Sequence, residues 1–336
     1  MKRSLFQLKN NGMRTPSELL EYFNKALAAM PYDRQPASLY EPVKYVLSMG
    51  GKRIRPVLLL MGYELFREDT DRVLPTALGL ETYHNYTLLH DDVMDRADVR
   101  RGRPTVHKVW NENAAILSGD TMLVMAYRLM AQAEPRYLKA VLDLFTETAL
   151  EIGEGQQMDL EFETRDDVRE EEYIEMIRLK TSVLLACALK LGALQADAPA
   201  ADAALLYQFG EQLGLAFQLQ DDLLDVYGDF QTFGKKIGGD ILCNKKTYML
   251  INALRRADGE QYMQLTDWLN REKYGPQEKI RAVTELYNAI GVRALAEAKI
   301  NEYFEAALQS LEQVSRPAER KQPLRELAES LLGRKN

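Results

Sequence analysis

Residues 204–228 read ALLYQFGEQLGLAFQLQDDLLDVYG. Apolar positions recur near the helical period through the whole stretch, and no alternating strand pattern competes with it. Between 213 and 224 apolar residues occupy most faces, so this helix requires other helices around it. A second stretch, 183–194 within EYIEMIRLKTSVLLACALKLGALQA (172–196), makes the same demand. Further out, SELLEYFNKALAAM (17–30) and ALGLETYHNYTLLHDDVMD (77–95) keep the period. Helix-favouring Leu, Ala, Glu, Met and Gln dominate, while breakers gather at MPYDRQPAS, MGGKRIRP, RRGRP, ADAPA and GDFQTFGKKIGGD. The expected fold is all-α, one large bundle of roughly ten or more helices joined by short loops.

With 336 residues, 46% of them hydrophobic, the chain can bury a large core, in one domain or two by length alone. No Pro/Gly/Ser linker, fixed-period repeat or low-complexity tract divides it. Residues 13–336 are therefore expected to form one domain behind a polar tail at 1–12, with Met13 as an alternative start. The net charge of −7 argues against a nucleic-acid binder, although a local basic cluster can still hold a phosphate. Cys187 and Cys243 show no CxxC spacing, which suggests neither a disulfide framework nor a zinc knuckle and is simplest in a reducing cytoplasm. No signal-peptide run is present, and no stretch reaches the ~18 uncharged apolar residues of a membrane span, so stable membrane insertion is not expected.

The helix at 204–228 ends in Asp221, Asp222 and Asp225, and LLHDDVMDRADVRRGRPTVH (88–107) repeats the arrangement with Asp91, Asp92 and Asp95. In each, carboxylates four apart project from one helix face, where like charges repel. Acidic helix ends are often merely solvated. These, however, follow about three turns of apolar helix and lie where the macrodipole disfavours anions unless a cation is bound. A hard divalent cation, Mg²⁺ above all, held by a few carboxylates and completed by substrate phosphate oxygens, resolves the conflict. Loop positions supply cations suited to phosphates: Lys52, Arg53 and Arg55, then Arg100, Arg101 and Arg103, then Lys180 beside Thr181, then Lys235, Lys236, Lys245 and Lys246. The two clusters together read as a diphosphate and metal clamp.

GGKRIRP, LLHDDVMDRADVRRGRPTVH, RLKT, LAFQLQDDLLDVYGD and GKKIGGD stand in this order over roughly residues 40–250, and here the chain resembles the head-to-tail trans-prenyl diphosphate synthases, short-chain type. The resemblance implies a bundle of the isoprenoid synthase type, with central helices around an apolar active-site cavity. It implies that Asp91, Asp95 and Asp221 are the main Mg²⁺ ligands, with Asp92, Asp222 and Asp225 supporting, and three ions when diphosphate is bound. Lys180, Thr181, Gln218, Lys235 and Lys245 would join Arg100 around an allylic diphosphate, Lys235 being favoured over its neighbour Lys236. Lys52, Arg55, His84 and Arg101 would hold isopentenyl diphosphate; His84, seven residues before Asp91, shares its side of the helix. A homodimer is implied as well. Asp98, Asp120 and Asp240 read as structural or capping residues, and Phe217 and Tyr227 as core.

The implied reaction is ionisation of the allylic diphosphate, attack by the isopentenyl double bond and loss of a proton to the released diphosphate. Such chemistry fits a chain with three histidines and no Ser/His/Asp or Cys/His constellation. At ~100° per residue, Thr87 lies about 40° and Tyr83 about 80° from Asp91, so both border a slot for the prenyl tail. By resemblance, Tyr86, the fifth residue before Asp91, limits elongation, and the smaller Thr87 at the fourth leaves room for C20, with C15 next. Rival readings are a longer-chain polyprenyl diphosphate synthase, a terpene cyclase and a non-catalytic subunit of a heteromeric synthase. The second DDxxD stands against the cyclase, and intact clusters with their basic loops stand against the silent subunit. An EF-hand is weaker still, because DDVMDRADVRRG lacks its glycine spacing.

Overall fold

The computed structural model describes residues 13–228 and 237–333, so the tail at 1–12 and the candidates Lys235 and Lys236 lie outside the described residues. In chain order the helices begin with α1 (Pro16–Ala28), α2 (Ala37–Ser48), α3 (Ile54–Glu64) and α4 (Leu74–Met94). A two-residue antiparallel ladder, β1 (Val99–Arg100) with β2 (Arg103–Pro104), folds the RRGRP stretch back on itself. Then come α5 (Val106–Val109), α6 (Glu112–Met130), α7 (Pro135–Phe162) and α8 (Glu170–Ile177). A five-residue π turn, Arg178–Ser182, leads into α9 (Val183–Gln195) and α10 (Ala200–Tyr227). The chain ends with α11 (Gly239–Leu242), α12 (Tyr248–Arg256), α13 (Gly259–Asn270), α14 (Pro276–Ile290), α15 (Val292–Gln313) and α16 (Ala318–Leu332). The all-α expectation is met, and no helix among the described residues is long and apolar enough to cross a membrane.

Local signals account for the helix ends. Thr15 and Glu18 form a capping box at α1, with Pro16 in the first turn, and Leu19, Phe23 and Leu27 bury the inner face. Asn111 caps α6 by accepting from the Ala114 amide at 2.8 Å. The helices read as central are buried as expected: Val183–Leu189 in α9, and Leu213, Leu215, Ala216, Leu219, Leu223 and Leu224 in α10.

Contacts group the chain into two compact units. The first holds the described residues up to Leu142, with Ala188–Asp202 and Ser315–Glu326. In it α4 packs along α6, and α3 crosses the latter part of α9 at paired glycines. A Cβ on Gly62 would lie 2.6 Å from the Leu189 carbonyl oxygen, and one on Gly192 would overlap that of Leu59. Any larger residue would push the helices apart. The last carbonyls of α3 have no partner within the helix. They are met by arginines from the far end of the chain: Arg316 donates to Leu65 O (3.0 Å) and Phe66 O (3.2 Å), and Arg320 to Glu64 O (3.2 Å).

The second unit holds Asp143–Cys187, Ala203–Val314 and the described residues from Leu327 on. Its core includes Tyr173, Met176 and Ile177 of α8, Leu219 and Leu223 of α10, and Leu250, Val283 and Ile300 from the C-terminal helices. Each fully buried Leu, Ile or Val contributes about 1.5–3 kcal/mol.

Candidate active site

In the first unit, α4 ends at the acidic cluster. Asp91 is half-buried, Asp92 is buried and Asp95 is the exposed C-cap, its amide donating to Asp91 O at 2.8 Å. Arg100, in β1, donates through Nε to Asp92 Oδ1 (2.8 Å) and through Nη2 to Asp91 Oδ2 (3.3 Å). Burial raises the Asp92 pKa and Arg100 opposes the rise. Arg100 thus sits at the carboxylates.

The candidates for isopentenyl diphosphate gather one helix turn and more away. Arg55 Nη1 meets His84 Nε2 at 3.1 Å. Burial and then the nearby Arg55 and Arg101 hold His84 well below its ordinary value, so it is the neutral acceptor of that contact. Burial also lowers Arg55 to about 10. Arg101, in the left-handed region at φ 52°, donates to Gly50 O and lays its guanidinium against Gly51, where a Cβ would lie 2.7 Å from Cζ. This contact explains Gly51, and the left-handed φ of 78° explains Gly50, the other glycine of GGKRIRP. The contact brings Arg101 to the turn that carries the exposed Lys52. Arg53 is different. It is 5% exposed and bound to Glu81 Oε1 (2.5 Å) and Leu47 O (2.6 Å), which makes it a structural anchor for the N-terminus of α3. Arg103 stacks on Tyr45 at 4.2 Å.

Three candidates for chain length lie on α4. Tyr83 is buried and its ring is 5.5 Å from that of half-buried Tyr86, which meets His90 edge-on at 4.8 Å. Thr87 Oγ1 donates to His84 O at 2.8 Å.

In the second unit, the π turn presents Lys180 and Thr181. Widened turns of this kind recur at functional sites. Here two glycines make room for it: a Cβ on Gly155 of α7 would overlap the Lys180 amide, and one on Gly214 of α10 would lie 2.6 Å from Ser182 Cα. Thr181 Oγ1 donates to Gln218 Oε1 (3.2 Å), and Gln218 Nε2 donates to Asp222 Oδ1 (3.0 Å). Tyr173 Oη donates to the other Asp222 oxygen. Burial, with the Asp240 charge second, pushes Asp222 up to about 7. Asp221 is half-buried; Asp225, one turn on, accepts from the Asp240 amide at 2.9 Å.

One residue here escaped the sequence reading, and another does more than that reading gave it. Asp159 of α7 accepts from Lys180 Nζ at 2.6 Å. Burial alone would raise its pKa; Lys245 and Lys180 outweigh burial and lower it. Reciprocally, Asp159, Asp240 and Asp222 outweigh the burial that would discharge Lys245. Asp240, read as structural, is therefore also part of the field around Lys245. The one local signal for Asp159 is a carboxylate in GQQMDLEF on the half-buried side of a long helix.

Asp91, Asp95, Asp221 and Asp225 offer oxygen donors only, which fits Mg²⁺. Among the described residues no group of three or more His, Cys, Asp or Glu side chains is placed to hold a metal ion.

Helices ending in aspartate clusters, with lysines and arginines at their sides, are the features to set beside known proteins. The family model of the polyprenyl synthetases matches residues 36–288, and the chain belongs to that family. A geranylgeranyl diphosphate synthase of Methanosarcina mazei is 42% identical over 224 residues, 66% of this chain and 69% of that protein. A short chain isoprenyl diphosphate synthase of Methanocaldococcus jannaschii is 40% identical over 253 residues, 75% of this chain and 77% of that one. A crystal structure of a geranylgeranyl pyrophosphate synthase, 42% identical, superposes with a TM-score of 0.92 over 96% of this chain and 100% of that one. The fold is the helical isoprenoid-synthase fold.

Proposed function

We infer that the protein is a short-chain prenyltransferase: it condenses isopentenyl diphosphate head-to-tail with an allylic diphosphate to give an all-trans prenyl diphosphate, C20 favoured and C15 next. Its family and its geranylgeranyl and short-chain relatives support the reaction class. The observation that carries the reading is the network of Lys180, Asp159, Thr181, Gln218 and Asp222 around the end of α10, where ammonium and amide groups stand ready for phosphate oxygens beside carboxylates ready for a cation.

Family members use Mg²⁺. Asp91 and Asp95 in the first unit, and Asp221 in the second, are its proposed ligands, with Asp92, Asp222 and Asp225 supporting and three ions in the full complex. When bound, magnesium supplies neutralisation of the charge that grows on the leaving diphosphate. Lys180, Lys245, Thr181, Gln218, Arg100 and Lys235 are assigned to the allylic diphosphate. Among the described ones, the donors of Lys180, Thr181, Gln218 and Arg100 are already held by neighbouring side chains, so they stabilise the developing charge with little reorganisation. Lys52, Arg55, His84 and Arg101 are assigned to isopentenyl diphosphate, with neutral His84 orienting the Arg55 fork. His84 is thereby committed as an acceptor, and the proton leaves to released diphosphate.

The chain from residue 13 on is proposed to act as one domain, since the family match runs through both units. A homodimer is part of the reading: Ile116, Leu117 and Val124 are 42%, 58% and 67% exposed along α6. Cys187 and Cys243 are not joined in a disulfide, which suits a reducing cytoplasm. The deciding experiment mixes purified protein, Mg²⁺, isopentenyl diphosphate and allylic starters from C5 to C15. Diphosphate release and a longer prenyl diphosphate by mass are expected, with single-substrate controls silent; no elongation of any starter rejects the reading.

A further inference from the structure

The turn leading to Lys245 is held by a residue that has no assigned role. Lys279 lies in the first turn of α14 and is 1% exposed. Its ammonium meets Asn244 Oδ1 at 2.6 Å, Leu242 O at 3.5 Å and the Tyr274 ring at 4.5 Å, all of them uncharged. A buried ammonium is costly unless its charge is answered, and the first turn of a helix is where the macrodipole disfavours a cation. Packing alone would be better served by methionine, so the hydrogen bonds are the reason for a lysine.

Those bonds fall on a strained turn. Asn244 is in the left-handed region at φ 55°, and its Nδ2 donates to Leu269 O of α13 at 2.9 Å. Tyr274 Oη donates to Leu242 O at 3.3 Å. The next residue of α14, Ile280, closes on Gly238, where a Cβ would lie 2.7 Å from its Cδ1. Between these two grips the segment is tied inward: Gly238 N to Asp225 O (2.6 Å), Asp240 N to Asp225 Oδ2 (2.9 Å) and Lys245 N to Asp240 O (2.9 Å). The first turn of α14 therefore supports both ends of the stretch from Gly238 to Lys245.

We propose that Lys279 is a positioning residue for the diphosphate site, its ammonium clamping Asn244 and Leu242 so that the next residue, Lys245, is presented to the allylic diphosphate. The inference rests on the assignment of Lys245 made above. The test compares Lys279→Met, Asn244→Gly and Lys245→Met with wild type by steady-state kinetics and thermal midpoint; Asn244→Gly keeps the backbone conformation if Lys279→Met fails to fold. Each variant should raise the allylic KM about tenfold, the effect of losing one hydrogen bond to a charged group, and leave the isopentenyl KM within about twofold. Affinity for inorganic diphosphate with Mg²⁺ should weaken in parallel. A purely structural role would lower the midpoint without separating the two KM values. If Lys245→Met raises the allylic KM and Asn244→Gly does not, the positioning role is overturned. If Lys245→Met leaves it unchanged in an active enzyme, the assignment of Lys245 falls and takes this inference with it.

Discussion

His84 works as an acceptor only while it is neutral, and its surroundings keep it so. Unfolded, it binds a proton below about pH 6.5; folded, burial beside Arg55 and Arg101 keeps the proton off. The unfolded chain then holds more protons, so this site's contribution to stability is complete above about pH 6.5 and is lost as pH falls below it. His84→Gln should remove the dependence, and the gap between the melting midpoints of variant and wild type should narrow from pH 7 to pH 5. A constant gap would mean that the imidazole titrates alike in both states. Asp91→Ala and Asp221→Ala should each lower turnover by about 10²–10³-fold with unchanged circular dichroism if, as proposed, each removes a ligand of the Mg²⁺ that neutralises the leaving diphosphate in the transition state. At this scale the sequence was legible where charges run together, as in DDVMD and RRGRP. It was not legible at Asp159, an isolated carboxylate whose meaning depends on α7 meeting the π turn, nor at Arg53, which shares a motif with Arg55 but turns inward to Glu81.

Among the elements, the helical period foretold α9 and α10, while the π turn between α8 and α9 left no trace in RLKTS. One inserted residue changes neither composition nor polarity; what betrays it is the pair Gly155 and Gly214 on neighbouring helices. Gly155→Ala should force the turn to shift, costing about 1–3 kcal/mol of stability, and should raise the allylic KM before the isopentenyl KM. An alanine variant with wild-type kinetics and melting would show that the turn has slack. On α4, the neighbouring rings of Tyr83 and Tyr86, tilted 50° to one another, should act as a stop for the growing tail. Truncating both to alanine leaves a cavity of several carbons and should move the product distribution beyond C20. An unchanged distribution, or a wild-type product of C30 or longer, counts against that role.

For the whole molecule, the apolar row on α6 predicts association. Light scattering at micromolar concentration should give the mass of two chains, and Leu117→Glu with Val124→Glu should halve it; a wild-type mass of one chain refutes the dimer. Neither the net charge nor the helical period announced how the chain is interleaved, because that order is set by contacts hundreds of residues apart. The carbonyls at the end of α3 wait for Arg316, 251 residues beyond Leu65. A ribosome adding ~5–20 residues per second needs roughly 12–50 s to cover that distance. Through that interval the first unit is a nascent chain with an unfinished helix end, exposed to chaperones and proteases. Synthesis stalled before residue 315 should therefore yield a chain that is cut near α3, whereas one released after Glu326 resists.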